Sequence, residues 1–241
     1  MDKMWIIAKR ELASFFDSLI AYVMIILFLG MSGFFTWLFG NNIFLLNQAS
    51  LQVFFSIGFW SLFFFIPAIT MRMLAEETRS GTIELLSTKA ITDWQIVGGK
   101  FLACLLLVMI ALFCTLPYYI TVSQLGSVDH GAIIGGYLGL ILLSAGYISI
   151  GLFASSITNN QIVAFLTALF IGIFFQVLFD VMGSSFRGDL GTALNYLSMR
   201  AHFESLSRGV IDSRDIVYFM SITLVGLLFS QSMLSRRNWQ G

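Results

Sequence analysis

Phe65-Ile66-Pro67-Ala68-Ile69-Thr70-Met71 is an apolar run that stops abruptly, and Arg72-Met73-Leu74-Ala75-Glu76-Glu77-Thr78-Arg79-Ser80-Gly81-Thr82-Ile83-Glu84-Leu85-Leu86 takes over from it. The second stretch is short, charged and helix-prone. Charge is scarce elsewhere: Asp, Glu, Lys and Arg make up 11% of the 241 residues, against about 25% in soluble domains. A chain with so little charge that gathers it in one loop presents that loop to something soluble. Glu76, Glu77 and Glu84 cluster with Arg72 and Arg79, and Arg72 and Glu76 stand four apart, the spacing of a weak helix ion pair. Met73, Leu74, Ile83, Leu85 and Leu86 offer an apolar docking face while the acids offer register, which points to a protein partner in the cytoplasm.

Outward from this loop the chain reads as lipid-embedded. It is 58% hydrophobic, with 25 Phe and only 2 Pro, and its mean hydropathy is +0.88. A water-soluble protein of this size cannot hide so much apolar surface, so the class is a polytopic all-α membrane protein. Continuous rather than alternating apolar stretches exclude barrel strands. About 20 apolar residues cross a bilayer as a helix, and six segments qualify: 20–39, 54–71, 101–122, 133–155, 162–181 and 216–233. The first is too long for a signal-peptide core and lacks a small-x-small cleavage site, so it reads as a retained span.

Nine of the 13 Lys and Arg residues fall on one side when six spans are counted: Lys3, Lys9, Arg10, Arg72, Arg79, Lys89, Lys100, Arg236 and Arg237. Both termini are therefore expected in the cytoplasm. Residues 1–19 carry Trp5, Ala8, Leu12, Phe15, Phe16 and Leu19 at helical spacing, which predicts an amphipathic helix in the membrane interface. Gly81 divides the segment 72–98 into two short helical pieces, and Thr92-Asp93-Trp94-Gln95 forms a capping box that starts the third span well before the membrane. The polar turn 156–161 predicts an antiparallel hairpin of spans four and five. Gly135, Gly139 and Gly146 in span four are read as helix-packing positions, mainly within the chain. The segment 182–215 mixes Leu, Val, Ile and Phe with polar residues and predicts short external helices returning toward the membrane.

Sites of chemistry are lacking. Asp180 lies at the end of span five with Gln176 one turn before it, and no charged pair stands at mid-depth, which argues against an ion-coupled secondary transporter. Gly30-Met31-Ser32-Gly33 matches the G-x-S-G of rhomboid-type proteases, but His130 and His202 lie outside the spans, so Gly30 and Gly33 are read as packing residues. Cys104 and Cys114 share one helix ten residues apart, cannot pair, and are read as buried small hydrophobes. Neither a metal-ligand cluster nor a phosphate loop is present, and Gly98-Gly99-Lys100 lacks the Walker spacing. No catalytic residue, cofactor or metal is therefore assigned, and zero net charge gives no pointer to nucleic acid.

Over its whole length the chain resembles an ABC-2-type transporter permease, and within that group the gliding-motility-associated permease subunit of gliding bacteria. The resemblance rests on Lys9-Arg10-Glu11-Leu12, Pro67-Ala68-Ile69-Thr70-Met71-Arg72, Glu76-Glu77-x-x-x-Gly81-Thr82-x-Glu84-Leu85-Leu86, Gly99-Lys100-Phe101, and the run 202–212 from His202 to Asp212. Permeases of copper-site maturation systems share this pattern. The resemblance implies one permease domain of a type V exporter-like fold over 1–241, in a bacterial inner membrane. Residues 1–19 would be the interfacial connecting helix, 72–98 the cytoplasmic coupling loop and 182–215 the external re-entrant helices. It implies a dimer with a second permease copy or a related membrane subunit bearing a large external domain, together with ABC ATP-binding subunits. Glu76, Glu77, Gly81, Thr82 and Glu84 map onto the coupling region, which Arg72 and Arg79 complete. ATP-driven closure of the partner would push on this loop and open a path or lateral gate. The same loop would serve a non-transporting anchor that recruits an ATPase to an external mechanical complex.

Overall fold

The computed structural model describes residues 3–39, 49–81, 92–186 and 188–238. Six helical segments are long and apolar enough to cross a membrane: Ile20–Leu38, Gln52–Ser80, Asp93–Leu125, His130–Ile157, Gln161–Ser185 and Ser213–Arg236. They coincide with the six expected spans. The described residues contain no strand, and the chain is a multi-pass helical membrane protein.

Helix α1 (Lys3–Asp17) precedes α2 (Ile20–Gly33), which a π-helical turn (Phe34–Leu38) completes as span one. Span two is α3 (Gln52–Thr70), and the short α4 (Ala75–Ser80) follows it. Span three is α5 (Asp93–Phe113) and α6 (Leu116–Leu125), broken at Cys114-Thr115, with Pro117 in the first turn of α6. Thr115 sits in the break, where its hydroxyl donates to Leu112 O at 2.6 Å and lies 2.9 Å from the Tyr137 hydroxyl. Span four is α7 (His130–Ile157); span five is α8 (Gln161–Ile173), a second π-helical turn (Phe174–Leu178) and α9 (Phe179–Ser185). Two short helices, α10 (Asp189–Asn195) and α11 (Met199–Ser207), lead to span six, α12 (Ser213–Asn238).

Side-chain chemistry sets these boundaries. The capping box forms as expected: Thr92 accepts from Gln95 N–H, and the Gln95 side chain returns to the Thr92 N–H. Asp129, Asn160 and Ser198 cap α7, α8 and α11, and Asp212 accepts from Arg214 N–H at the start of α12.

Span four is the hub. It packs on α3, α5, α8, α11 and α12, and 78% of its most apolar window is buried, against 28%, 22% and 28% for spans one, five and six. Small residues permit this. An added Cβ at Gly151 would stand 2.8 Å from Thr70 Cβ of α3, and one at Gly226 of α12 would stand 2.8 Å from Ser149 Cβ. At Gly135 it would strike the Leu206 carbonyl of α11, and at Gly139 it would meet Phe203 Cδ2 at 3.1 Å. The Gly135-x-x-x-Gly139 pair thus serves packing within the chain, against α11. Gly146 is looser, its nearest neighbour Met199 Cε at 3.6 Å. Gly33 packs under Tyr118, but Gly30 has nothing within 4 Å of an added Cβ, so it is not the packing residue expected. Cys104 is buried, whereas Cys114 is exposed at the helix break, contrary to its reading as a buried hydrophobe.

Gly151→Ala should overpack the contact of spans two and four and lower stability by about 1–3 kcal/mol. Gly30→Ala, with open space around it, should be neutral or gain about 0.5–1 kcal/mol. Thermal unfolding of the two variants in detergent checks both expectations.

Candidate functional site

The charged segment after span two is fastened to the bundle at its first residues. Leu74, at the N-cap of α4, has no capping side chain of its own. The cap comes from span four: Ser155 Oγ accepts from Leu74 N–H at 3.0 Å and Ala75 N–H at 2.9 Å, and donates to Met71 O at 2.9 Å. Ser155 is fully buried, so these open amide donators of α4 are satisfied away from water. Glu76 and Glu77 occupy the first turn of α4 and Arg79 its last, the arrangement a helix dipole favours. Gly81 ends the helix with φ +70°, a left-handed cap that only glycine adopts without strain.

The second fastening is ionic. Lys100 lies two turns into α5, its side chain 1% exposed, with Nζ 2.7 Å from Glu77 Oε1 and 3.5 Å from Glu11 Oε1. Arg10 contacts Glu11 at 2.5 Å and reaches Glu77 at 3.8 Å. Two cations and two carboxylates from α1, α4 and α5 form one neutral cluster. Gly98 and Gly99 make it possible. An added Cβ there would stand 2.7 Å from Met4 Sδ and 2.8 Å from Ile7 Cβ, so the diglycine is the groove in which α1 lies. Burial alone would raise the pKa of Glu11, but Lys100 and Arg10 outweigh it and hold the carboxyl below its ordinary 4.5.

Several expected positions move. The Arg72–Glu76 pair does not form among the described residues; the Arg72 guanidinium lies 5.7 Å from the Phe15 ring centre instead. Met73 and Leu74, expected on a docking face, are buried in the chain's own core. Helix α1 buries Ala8 and Phe15 of the predicted stripe but takes Ile7 into its inner face and leaves Trp5 exposed. Glu76 and Arg79 are the exposed charges of α4. Arg79 also lines an open cavity of about 570 Å³ with Ile157 and the turn residues Thr158, Asn159 and Asn160. Thr82, Glu84, Ile83, Leu85, Leu86 and the second helical piece lie outside the described residues.

In the sequence Lys100 entered only through the charge count, the Walker comparison and the resemblance, and Glu11 only through the resemblance, neither as half of an ion pair, and Ser155 was not singled out. A lysine two turns inside an apolar helix, directly after Gly-Gly, was the available signal for the first; Ser155 gave none. Among the described residues no group of three His, Cys, Asp or Glu could hold a metal. What the cluster can do is mechanical: it joins three elements at one end of the bundle.

Residues 43–203 match the family described as ABC-2 family transporter protein, a match over more than half of the chain. The chain belongs to that family, whose members are the membrane-spanning partners of ABC ATP-binding subunits. No curated protein shows a significant match to it.

Lys100→Met should cost about 3 kcal/mol, the lower end for breaking a buried ion pair, because the Glu77 and Glu11 side chains keep 18% and 15% exposure. Ser155→Ala should cost about 1 kcal/mol through the lost cap. Both are read as shifts in thermal unfolding. Because the folded pKa of Glu11 is depressed, its contribution is present above 4.5 and is lost as pH falls through the lower folded value. Amide exchange in α1 should therefore accelerate below that point while α7 stays protected.

Proposed function

We propose that this chain is the permease subunit of an ABC transporter and that residues 72–98 form its coupling loop. The reading is supported above all by the double fastening of α4, to Ser155 of span four and to Lys100 of span three. Closure of a bound ATP-binding subunit pushes on α4, and neither span can stay still when α4 moves. Span four carries the displacement to α3, α11 and α12, so a push at one end becomes a change of packing at the other.

Glu76 and Arg79 face the ATPase, with Gly81, Thr82 and Glu84 continuing the contact and Arg72 bracing it from span two. Helix α1 is the connecting helix at the cytoplasmic interface. Both termini lie in the cytoplasm of a bacterial cell, and two membrane subunits pair around one pathway. A place in gliding-motility machinery, beside a subunit with a large external domain, draws on the resemblance of the Glu76–Leu86 and His202–Asp212 stretches.

Affinity capture of the tagged chain in mild detergent tests this reading. The unaltered chain should retain an ATPase with Walker motifs, and Glu76→Lys with Arg79→Glu should lose it. Lys100→Met should keep the ATPase but release its hydrolysis rate from control by the membrane subunit. Capture of no ATPase by the unaltered, folded chain, or undiminished capture by the charge-reversed one, would overturn the assignment.

A further inference from the structure

The end of the bundle opposite α4 holds a cavity of about 280 Å³ between the first turns of α3 and helix α11. Its floor is aromatic. Phe55, Phe59 and Phe203 are buried, and the Phe59 and Phe203 rings stack at 4.9 Å. Trp60 forms a wall, edge-on to Phe59 and 44% exposed. The rim is charged, and its ionic groups, Arg200 and Glu204 of α11 and Arg208 just past its end, lie one turn apart. Arg200 is held by Glu204 at 2.8 Å and by Asp180 at 3.3 Å, so it is fixed in place. Among the described residues Arg208 pairs only with Glu204, at 3.4 Å, and its side chain is 70% exposed. A second cavity of about 370 Å³ shares Glu204 and Arg208 and adds Asp180 and Asn195. Arg208 therefore stands between two open spaces, the least engaged cation at this rim.

We propose that this cavity binds an amphiphile with an anionic headgroup, a phosphate or carboxylate, its chain on the Phe59–Phe203 floor and its head on Arg208. The aromatic floor accepts any hydrocarbon chain. The guanidinium selects the head, because its planar fork of donors matches phosphate and carboxylate oxygens. Arg200, Glu204 and Arg208 of the lining, with Asp180 bonded to Arg200, balance in charge, so the open donors of Arg208 and not a net positive charge select the head. The volume lies just below the usual range of about 300–1,000 Å³, which suits one head and the first part of one chain. That this ligand is the transported cargo rests on the permease reading; that it binds does not.

The test is calorimetric titration of the full chain in a non-ionic detergent with dodecyl phosphate, inorganic phosphate and dodecyltrimethylammonium. Dodecyl phosphate should saturate one site per chain. Arg208→Gln should weaken it about tenfold, the loss of one charge-assisted contact, and Trp60→Leu several-fold. Both residues are exposed, so the variants should fold, which circular dichroism verifies. Inorganic phosphate should bind at least tenfold more weakly. Equal affinity of the anionic and cationic amphiphiles, or of the unaltered chain and Arg208→Gln, would overturn the proposal. Inorganic phosphate binding as tightly as dodecyl phosphate would overturn it as well, since the aromatic floor would then contribute nothing. Glu76→Lys with Arg79→Glu, which should lose the ATPase, should bind dodecyl phosphate unchanged, so failure of the permease reading and failure of this site are seen separately.

Discussion

An ammonium group buried at the start of a membrane span is the constraint around which one end of this protein is built. Removing it from water costs several kcal/mol unless carboxylates accompany it. No acid near Lys100 in its own helix supplies them. Glu77 comes from α4 and Glu11 from α1, so the lysine is satisfied only when three elements meet. The diglycine before it removes the side chains that would hold α1 away. A polar requirement thus fixes tertiary structure where apolar packing alone would leave α1 free to slide.

Within the bundle a different rule applies. Lipid is as apolar as leucine, so burying leucine against leucine gives little drive for spans to associate. Close approach of backbones does the work instead, and span four supplies it on several sides through Gly135, Gly136, Ser149 and Gly151. These residues explain why span four is buried while spans one, five and six keep most of their surface outward. Polar contacts add to it: the Tyr147 hydroxyl of span four donates to Gln176 in the π-helical turn of span five.

The spans were legible because length and hydropathy suffice to define them, and the Thr92–Gln95 box because capping is local chemistry. The α4 helix and its stop at Gly81 were legible for the same reason. Positions decided by another element were not. A helix pair such as Arg72–Glu76 is worth about 0.2–0.5 kcal/mol, which the Phe15 ring easily displaces. Periodicity gave α1 an apolar stripe, but the groove at Gly98-Gly99 chose which part of it to bury. Met73 and Leu74 look like docking residues in a charged loop, yet Ser155 holds the backbone around them, at Met71, Leu74 and Ala75, against the core. A serine serving a helix 80 residues away in sequence leaves no local trace.

Span four also relates the two ends. Gly135 beneath α11 and Ser155 beneath α4 both lie on this helix, about 30 Å apart at 1.5 Å per residue. At the far end α11 is held twice, by Gly135 and Gly139 of span four and by His202. The His202 Nδ1 lies 2.6 Å from Asp215 of α12, and its Nε2 lies 3.0 Å from the Tyr196 carbonyl. The other cavity wall, α3, is seated on the same span through Gly136 and Gly151. Both walls of the aromatic cavity are thus referred to one helix, and that helix is the one that caps α4. Span four contacts both cavity walls and caps the start of the charged loop, a contiguous path of contacts between the two ends.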